Sequence, residues 1–213
     1  MQKLVEKFKS MSKTKRDIIV LSVLVALVVL FTALFMFADF GNPGVKKYAE
    51  KGSFDTRFYY NADDVYETLD GMDPSVDIRH HLIFHIVDYV YMVVYFLFFV
   101  AAGLFFGKGK YRLLCYILPS VLVFFDLIEN IFLDAVMMIY GTRGERLDIL
   151  ANIAGVATLL KTVMLAVNAL FILLLAALYI ADSVKKAKTE AVTEPDFKVN
   201  AEEAETPNIT PEA

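Results

Sequence analysis

The chain has 213 residues, 57% of them hydrophobic, with no tryptophan and a mean hydropathy of +0.53. An ordinary soluble domain does not carry that composition, whereas several long apolar runs account for it directly, so the expected class is a polytopic membrane protein. The net charge of −4 is spread over connecting segments of alternating sign and points to no nucleic-acid partner; a single cysteine, Cys115, excludes an intrachain disulfide and the usual structural Cys/His zinc set.

Residues 1–17 form a basic N-terminus with Lys3, Lys7, Lys9, Lys13, Lys15 and Arg16. Ile18–Ala38 is then apolar over a bilayer-spanning length, longer than the core of a cleaved signal peptide, and predicts the first transmembrane helix. The connection 39–80 opens with the helix-breaking Gly41-Asn42-Pro43-Gly44. Within it, Asn61 is suited to cap a short amphipathic helix with Val65 and Leu69 on one face, and Gly71 and Pro74 punctuate the chain before it re-enters the membrane. The second span is expected at His81–Phe106, the third at Tyr111–Tyr140 and the fourth at Leu150–Ile180. Residues 18–181 thus predict an all-α, four-helix transmembrane bundle with a short amphipathic helix in its first outer loop.

Orientation follows from the basic residues. Lys108, Lys110 and Arg112 in the second connection, and Lys185, Lys186 and Lys188 after the fourth span, join the N-terminus in placing both termini in the cytoplasm. The first loop and Gly141-Thr142-Arg143-Gly144 then face out, and the expected location is the bacterial inner membrane. Pro119 is expected to kink or locally loosen the third span unless it marks the true start of that helix. Residues 182–213 lack an apolar period and predict a disordered cytoplasmic tail; its Asn208-Ile209-Thr210 resembles a glycosylation signal only by accident on that side of the membrane.

The chemistry lies within the spans. Ionisable groups at membrane depth are costly, roughly 2.5–3.5 kcal/mol or more for Asp near a helix centre, and normally face a protein interior or a water-filled cavity. His81, His85, Asp88 and Tyr95 recur along one helical stripe of the second span, Asp126, Glu129 and Asn130 cluster on the third, and Thr158, Lys161 and Asn168 share a face of the fourth. Counted inward from the helix ends, Asp88, Asp126, Glu129 and Lys161 fall at compatible depth and predict one outward-opening polar pocket. Three carboxyl groups against one lysine require protonation or another cation, from His85, Arg79, a metal or a ligand.

Asp126 and Glu129 are the expected acid/base pair with Lys161 as charge stabiliser, and Arg79, His85, Asp88, Tyr95 and Asn130 the expected ligand contacts. No cofactor and no metal is assigned; His81, His85 and Asp88 have metal-ligand spacing but lack a fourth donor. The leading function is binding, and by extension modifying, a lipid-like or amphipathic small molecule, with membrane lipids as the surrounding partners. The alternatives are a non-enzymatic assembly protein, as a homo-oligomer or with a protein partner, whose polar network is structural, and a proton-coupled carrier.

Several of these residues also resemble an uncharacterised bacterial four-span integral membrane protein family. The resemblance rests on Tyr60-Asn61, Gly71, Arg79 followed by Asp88 and Tyr95, Asp126-Leu127-Ile128-Glu129-Asn130 and Thr158-Leu159-Leu160-Lys161. Asp-x-x-Glu-Asn is its most specific segment. The sequence departs from the pattern at His81, where an aromatic residue is expected. The resemblance implies that these polar residues act as a group, and implies no activity.

Overall fold

The computed structural model describes residue 6 and residues 8–73, 76–107 and 109–193, and over these the chain is helical with no strand. Helix α1 (Lys13–Phe37) starts at Ser12, whose hydroxyl accepts from the Lys15 N–H at 3.4 Å. Its 25 residues reach about 38 Å at 1.5 Å each, more than the roughly 30 Å of bilayer hydrocarbon. Ala38 is extended, and the chain turns into the single-turn helix α2 (Asn42–Val45) with Pro43 in its first turn, where a missing N–H leaves no bond unmade.

A 3-10 turn over Phe54–Thr56 leads to helix α3 (Ala62–Asp70). The N-terminus of α3 is a complete capping box. Asn61 Oδ1 accepts from the Asp64 N–H at 2.9 Å, and Asp64 Oδ2 accepts from the Asn61 N–H at 3.1 Å, satisfying two otherwise orphaned donors. Its buried face is Ala62, Val65, Tyr66 and Leu69, the side on which the sequence places Val65 and Leu69.

Three long helices follow: α4 (Asp77–Phe106), α5 (Leu114–Arg143) and α6 (Asp148–Thr193). Helices α1, α4 and α6 are long and apolar enough to cross a membrane. Helix α5 is as long as α4, at 30 residues, but carries Asp126, Glu129, Asn130 and Asp134 and is not among them. It begins at Leu114, later than the expected Tyr111, because Gly109–Tyr111 is a separate 3-10 turn. Pro119 lies inside α5, and the helix continues through it. Asn168 of α6 braces this region, donating to the Leu118 carbonyl at 3.1 Å and to the Met164 carbonyl at 2.8 Å.

Gly144 closes α5 in the left-handed conformation at φ 67°, and its N–H returns to the Tyr140 carbonyl, so α6 folds back along α5 after a short link. Those two helices form the most extensive contact, α4 packs on both, and α1 packs on α4 without a comparable contact to α5 or α6. Near the α4–α5 connection the backbones come close: a Cβ on Gly103 would lie 2.9 Å from Cys115 Cβ.

The loop before α4 is fastened down rather than merely connecting. A Cβ on Gly155 of α6 would sit 1.7 Å from the Tyr60 carbonyl oxygen, so only glycine admits the loop at this point. The Ala62 N–H donates to Asn152 Oδ1 at 2.9 Å, the Leu147 N–H donates to the Tyr66 hydroxyl, and the Tyr140 hydroxyl donates to Asp70. Arg57 holds the loop from within, donating to the Gly52 carbonyl at 3.1 Å and to Thr68 Oγ1 at 3.2 Å while lying 4.3 Å over the Phe54 ring. Burial draws the Arg57 guanidinium below its ordinary pKa.

Two apolar cores result. One gathers loop and helix-end residues, Phe54, Tyr60, Val65, Tyr66, Phe84, Leu133, Val136, Met137, Ala151 and Ala154; the other, deeper along the bundle, is Met92, Tyr95, Phe99 and Leu122. Most of the buried polar residues of the long helices fall between the two: His85 and Asp88 after Phe84 and before Met92 on α4, Asp126, Glu129 and Asn130 after Leu122 and before Leu133 on α5, and Thr158, with the part-buried Lys161, after Ala154 on α6. The expected irregular tail is corrected over part of its length, because α6 runs past Asp182 to Thr193. Its sequence there, Ser183 to Thr193, includes lysines, alanines and a glutamate, which are helix formers. Residues 194–213, the Asn208 tripeptide, Lys3, Lys7, Pro74 and Lys108 lie outside the described residues.

Candidate functional site

Lys161 is the centre. Its ammonium donates to Asp55 Oδ1 at 2.7 Å and to Asp126 Oδ1 at 2.9 Å, and lies 2.5 Å from Glu129 Oε2 in a contact not aligned as a hydrogen bond. An ammonium has three donors; two of them are taken by Asp55 and Asp126, with Glu129 in close contact beside them. Helix α6 thus supplies the cation, α5 two acids, and the 3-10 turn before α3 another.

Around this centre the predicted residues assemble in pairs. The Tyr95 hydroxyl donates to Asp126 Oδ2 at 2.5 Å, and the Asn130 amide donates to Asp88 Oδ2 at 2.7 Å. His85 Nδ1 bonds Asp134 Oδ1 at 2.5 Å, and the Tyr89 hydroxyl donates to Asp134 Oδ2 at 3.0 Å. His85 Nε2 faces Asp55 Oδ2 across 3.8 Å, too far for a hydrogen bond. Asp88, Asp126, Glu129, Asn130 and His85 are all buried.

Arg79 is the exception. It is exposed on the first turns of α4, seven residue positions and almost two helical turns before Ile86, and it lines no part of the cavity described below. Its separation from Asp88 along a helix makes it a helix-end residue rather than a ligand contact. Thr158 bonds its own helix at the Ala154 carbonyl, 3.0 Å away. His81 is fully buried against Phe54, Phe84 and His85 with neither ring nitrogen hydrogen-bonded, filling aromatic space where the resembled family has an aromatic residue.

Three further participants stand outside the expected site residues, of which only Tyr60 was named by sequence, within the resembled Tyr60-Asn61 motif. Tyr60 reaches Glu129 Oε1 at 3.4 Å from the loop, Asp55 pairs with Lys161 from the loop, and Asp134 pairs with His85. Asp134 was legible, since it stands one turn beyond Asn130 on the same helix face. Asp55 was not: it lies in an aperiodic, polar stretch, and only the fold brings that stretch against the long helices. Burial alone would raise Asp55, but the Lys161 ammonium and His85 outweigh it and hold the carboxyl below the usual carboxylate range. Burial, reinforced by Glu129, pushes the Tyr60 phenol well above its ordinary value.

Asp55, Asp126 and Glu129 offer oxygens within 4.8 Å of one another, a spacing that suits a metal ion. Lys161 Nζ stands among the same oxygens, so a metal would have to displace an ammonium already paired with all three. The His81, His85 and Asp88 spacing noted in the sequence does not close: His85 turns to Asp134 and Asp88 to Asn130.

A cavity of about 270 Å³ borders the cluster. Asp55, Asp88, Asp126 and Lys161 form its polar wall, and Phe84, Tyr91, Phe98 and Phe99 of α4 much of its apolar wall. Val28 and Phe35 of α1, Thr162 and Leu165 of α6, and Asp55 and Thr56 of the loop also line it. Helices α1 and α6 do not pack on each other appreciably, although both contribute to the cavity wall. Comparison of the chain with protein-family models, with curated proteins and with solved structures finds no match, so the family resemblance rests on the motifs alone.

Proposed function

We propose that the chain is a four-helix integral membrane protein, spanning with α1, α4, α5 and α6, whose cavity binds the polar end of a lipid-like or amphipathic molecule. The apolar part of that molecule leaves through the flank between α1 and α6 into hydrocarbon. The observation that carries this reading is a buried acid and lysine cluster bordering an aromatic cavity that is lined by two membrane-length helices, α1 and α6, which do not pack extensively on each other. Pockets of this kind, mostly apolar with a few convergent polar groups, are the usual form of small-molecule sites. Helix α5 packs on α4 and α6 and buries Asp126, Glu129 and Asn130, while Phe124, Ile131 and Met138 on its other side are exposed and apolar.

Lys13, Lys15 and Arg16 at the start of α1, Lys110 and Arg112 between α4 and α5, and Lys185, Lys186 and Lys188 on α6 support an orientation with this end in the cytoplasm. In a bacterium this would be the inner membrane. Binding is a better reading than turnover. For Asp126, Glu129 and Lys161 to act as acid, base and charge stabiliser, the substrate would have to break an ammonium away from carboxylates already in contact with it.

Native mass spectrometry with lipid extraction tests the reading, using wild type and Val28→Trp, which fills the flank of the cavity. One amphipathic species retained by wild type and lost from folded Val28→Trp supports it. Wild type that retains no specific species, and takes up none when amphiphiles are added, refutes it. The self-contained pairing of Lys161 favours a second reading, an assembly protein with a structural network; loss of a partner or of oligomeric state from Asp126→Asn, without any bound molecule, would select it.

A further inference from the structure

Resting on the reading that this cavity takes the polar end of an amphipathic molecule, we infer that the head it selects is cationic, an alkylammonium, and that Asp88 receives it. Asp88 lines the cavity at 8% exposure. Its Oδ2 accepts from Asn130, and among the described residues its Oδ1 has no hydrogen bond and neither oxygen has a Lys, Arg or His within 4.0 Å. The other carboxylates differ in this respect. Asp55, Asp126 and Glu129 meet Lys161, and Asp134 meets His85. A buried carboxylate without a counter-charge is costly, and a cation arriving from the cavity would relieve that cost.

The same wall disfavours an anion. Lys161, the cation that lines the cavity, is already in contact with three carboxylates, which an anion would have to displace. The surroundings of Asp88 suit an ammonium further. Phe84, Asp88 and Tyr91 follow one another along one face of α4. Phe35 of α1 meets Phe84 edge to face at 5.0 Å and Tyr91 at 5.6 Å between ring centroids, making an aromatic corner beside the carboxylate. Aromatic faces attract cations, most strongly where water is excluded. A volume of about 270 Å³ admits a small head and its first methylenes, not a large polar headgroup.

The test uses the full chain in nanodiscs of a neutral phospholipid, titrated calorimetrically with decyltrimethylammonium, decanoate and decanol below their aggregation concentrations. Saturable binding of the cation, at least about tenfold tighter than of the anion or the alcohol, is expected for wild type. Asp88→Asn, with its thermal transition retained, should lose at least about tenfold of the cation's affinity and show no preference among the three probes. The wild-type series stands by itself should that variant fail to fold. Equal or tighter binding of decanoate or decanol, or a folded Asp88→Asn that keeps the cation's affinity, overturns the inference and leaves the cavity reading in place. Absence of saturable binding by all three probes, or binding that Val28→Trp does not weaken, overturns the cavity reading as well.

Discussion

Replacing Lys161 by methionine tests the centre of the cluster, because methionine keeps most of the length and apolar stem of lysine and removes only the ammonium. In the wild type that ammonium lies 2.7 Å from Asp55, 2.9 Å from Asp126 and 2.5 Å from Glu129. Its loss leaves these acids buried together without a cation. Removing one partner of a buried pair costs about 3–5 kcal/mol, and with three acids stranded the upper part of that range is expected, somewhat reduced by protonation of the carboxyls. The double variant Lys161→Met/Glu129→Gln should recover about 0.5–3 kcal/mol relative to the sum of the single changes, since contacting residues do not act independently. Reversible unfolding in mixed micelles, followed by circular dichroism, measures both. Hydrogen exchange over residues 53–60 should rise in Lys161→Met, because Asp55 is the loop's ionic tie to α6. A loss below about 1 kcal/mol, with exchange unchanged, would show that the ammonium behaves like an exposed pair and would refute the reasoning.

Gly155→Val is expected to destabilise by about 1–3 kcal/mol or more, the range for forced overpacking, because any Cβ there meets the Tyr60 carbonyl; an unchanged unfolding midpoint would contradict the docked loop. Asn61→Ala removes half of the α3 capping box and should cost about 1 kcal/mol, read in the same unfolding assay. The pH dependence of loop attachment follows from Asp55, whose folded pKa is depressed. Its stabilising contribution is fully present above the unfolded value of about 3.9, and is lost only as pH falls below that value toward the lower folded one. Exchange over the loop should therefore stay slow through mildly acidic pH and Asp55→Asn should abolish the acid-dependent part. At the alkaline end Tyr60 works in the opposite direction: its raised phenol contributes stability below the unfolded value of about 10, lost as pH rises beyond it, and Tyr60→Phe should remove that loss.

Helix existence, the capped loop helix and the meeting of Asp88, Asp126, Glu129, Asn130, Tyr95 and Lys161 were legible in the sequence, because they depend on periodicity. Apolar runs of membrane length have few alternatives to helix, and residues at spacings of three, four and seven share a face whatever that face meets. Asn61 and Asp64 announce a helix start by local hydrogen bonding alone. For the same reason Asp134, one turn from Asn130, belonged to the set on spacing.

Tertiary structure decided the rest, namely what a face meets and what covers it. The loop's descent onto α6 depends on the absence of a Cβ at Gly155 beside Tyr60, a contact between distant residues that carries no local signal, and with that descent Asp55 becomes a partner of Lys161. Arg79 shows the converse, since a charge near the start of α4 looks available to the site until helix rise separates it from Asp88. What lines the cavity is likewise set by packing: α1 rests on α4 without an extensive contact to α6, and both α1 and α6 contribute to its wall. Periodicity places residues on helices; only the contacts between helices and loop determine which of them share a cavity and with what charge.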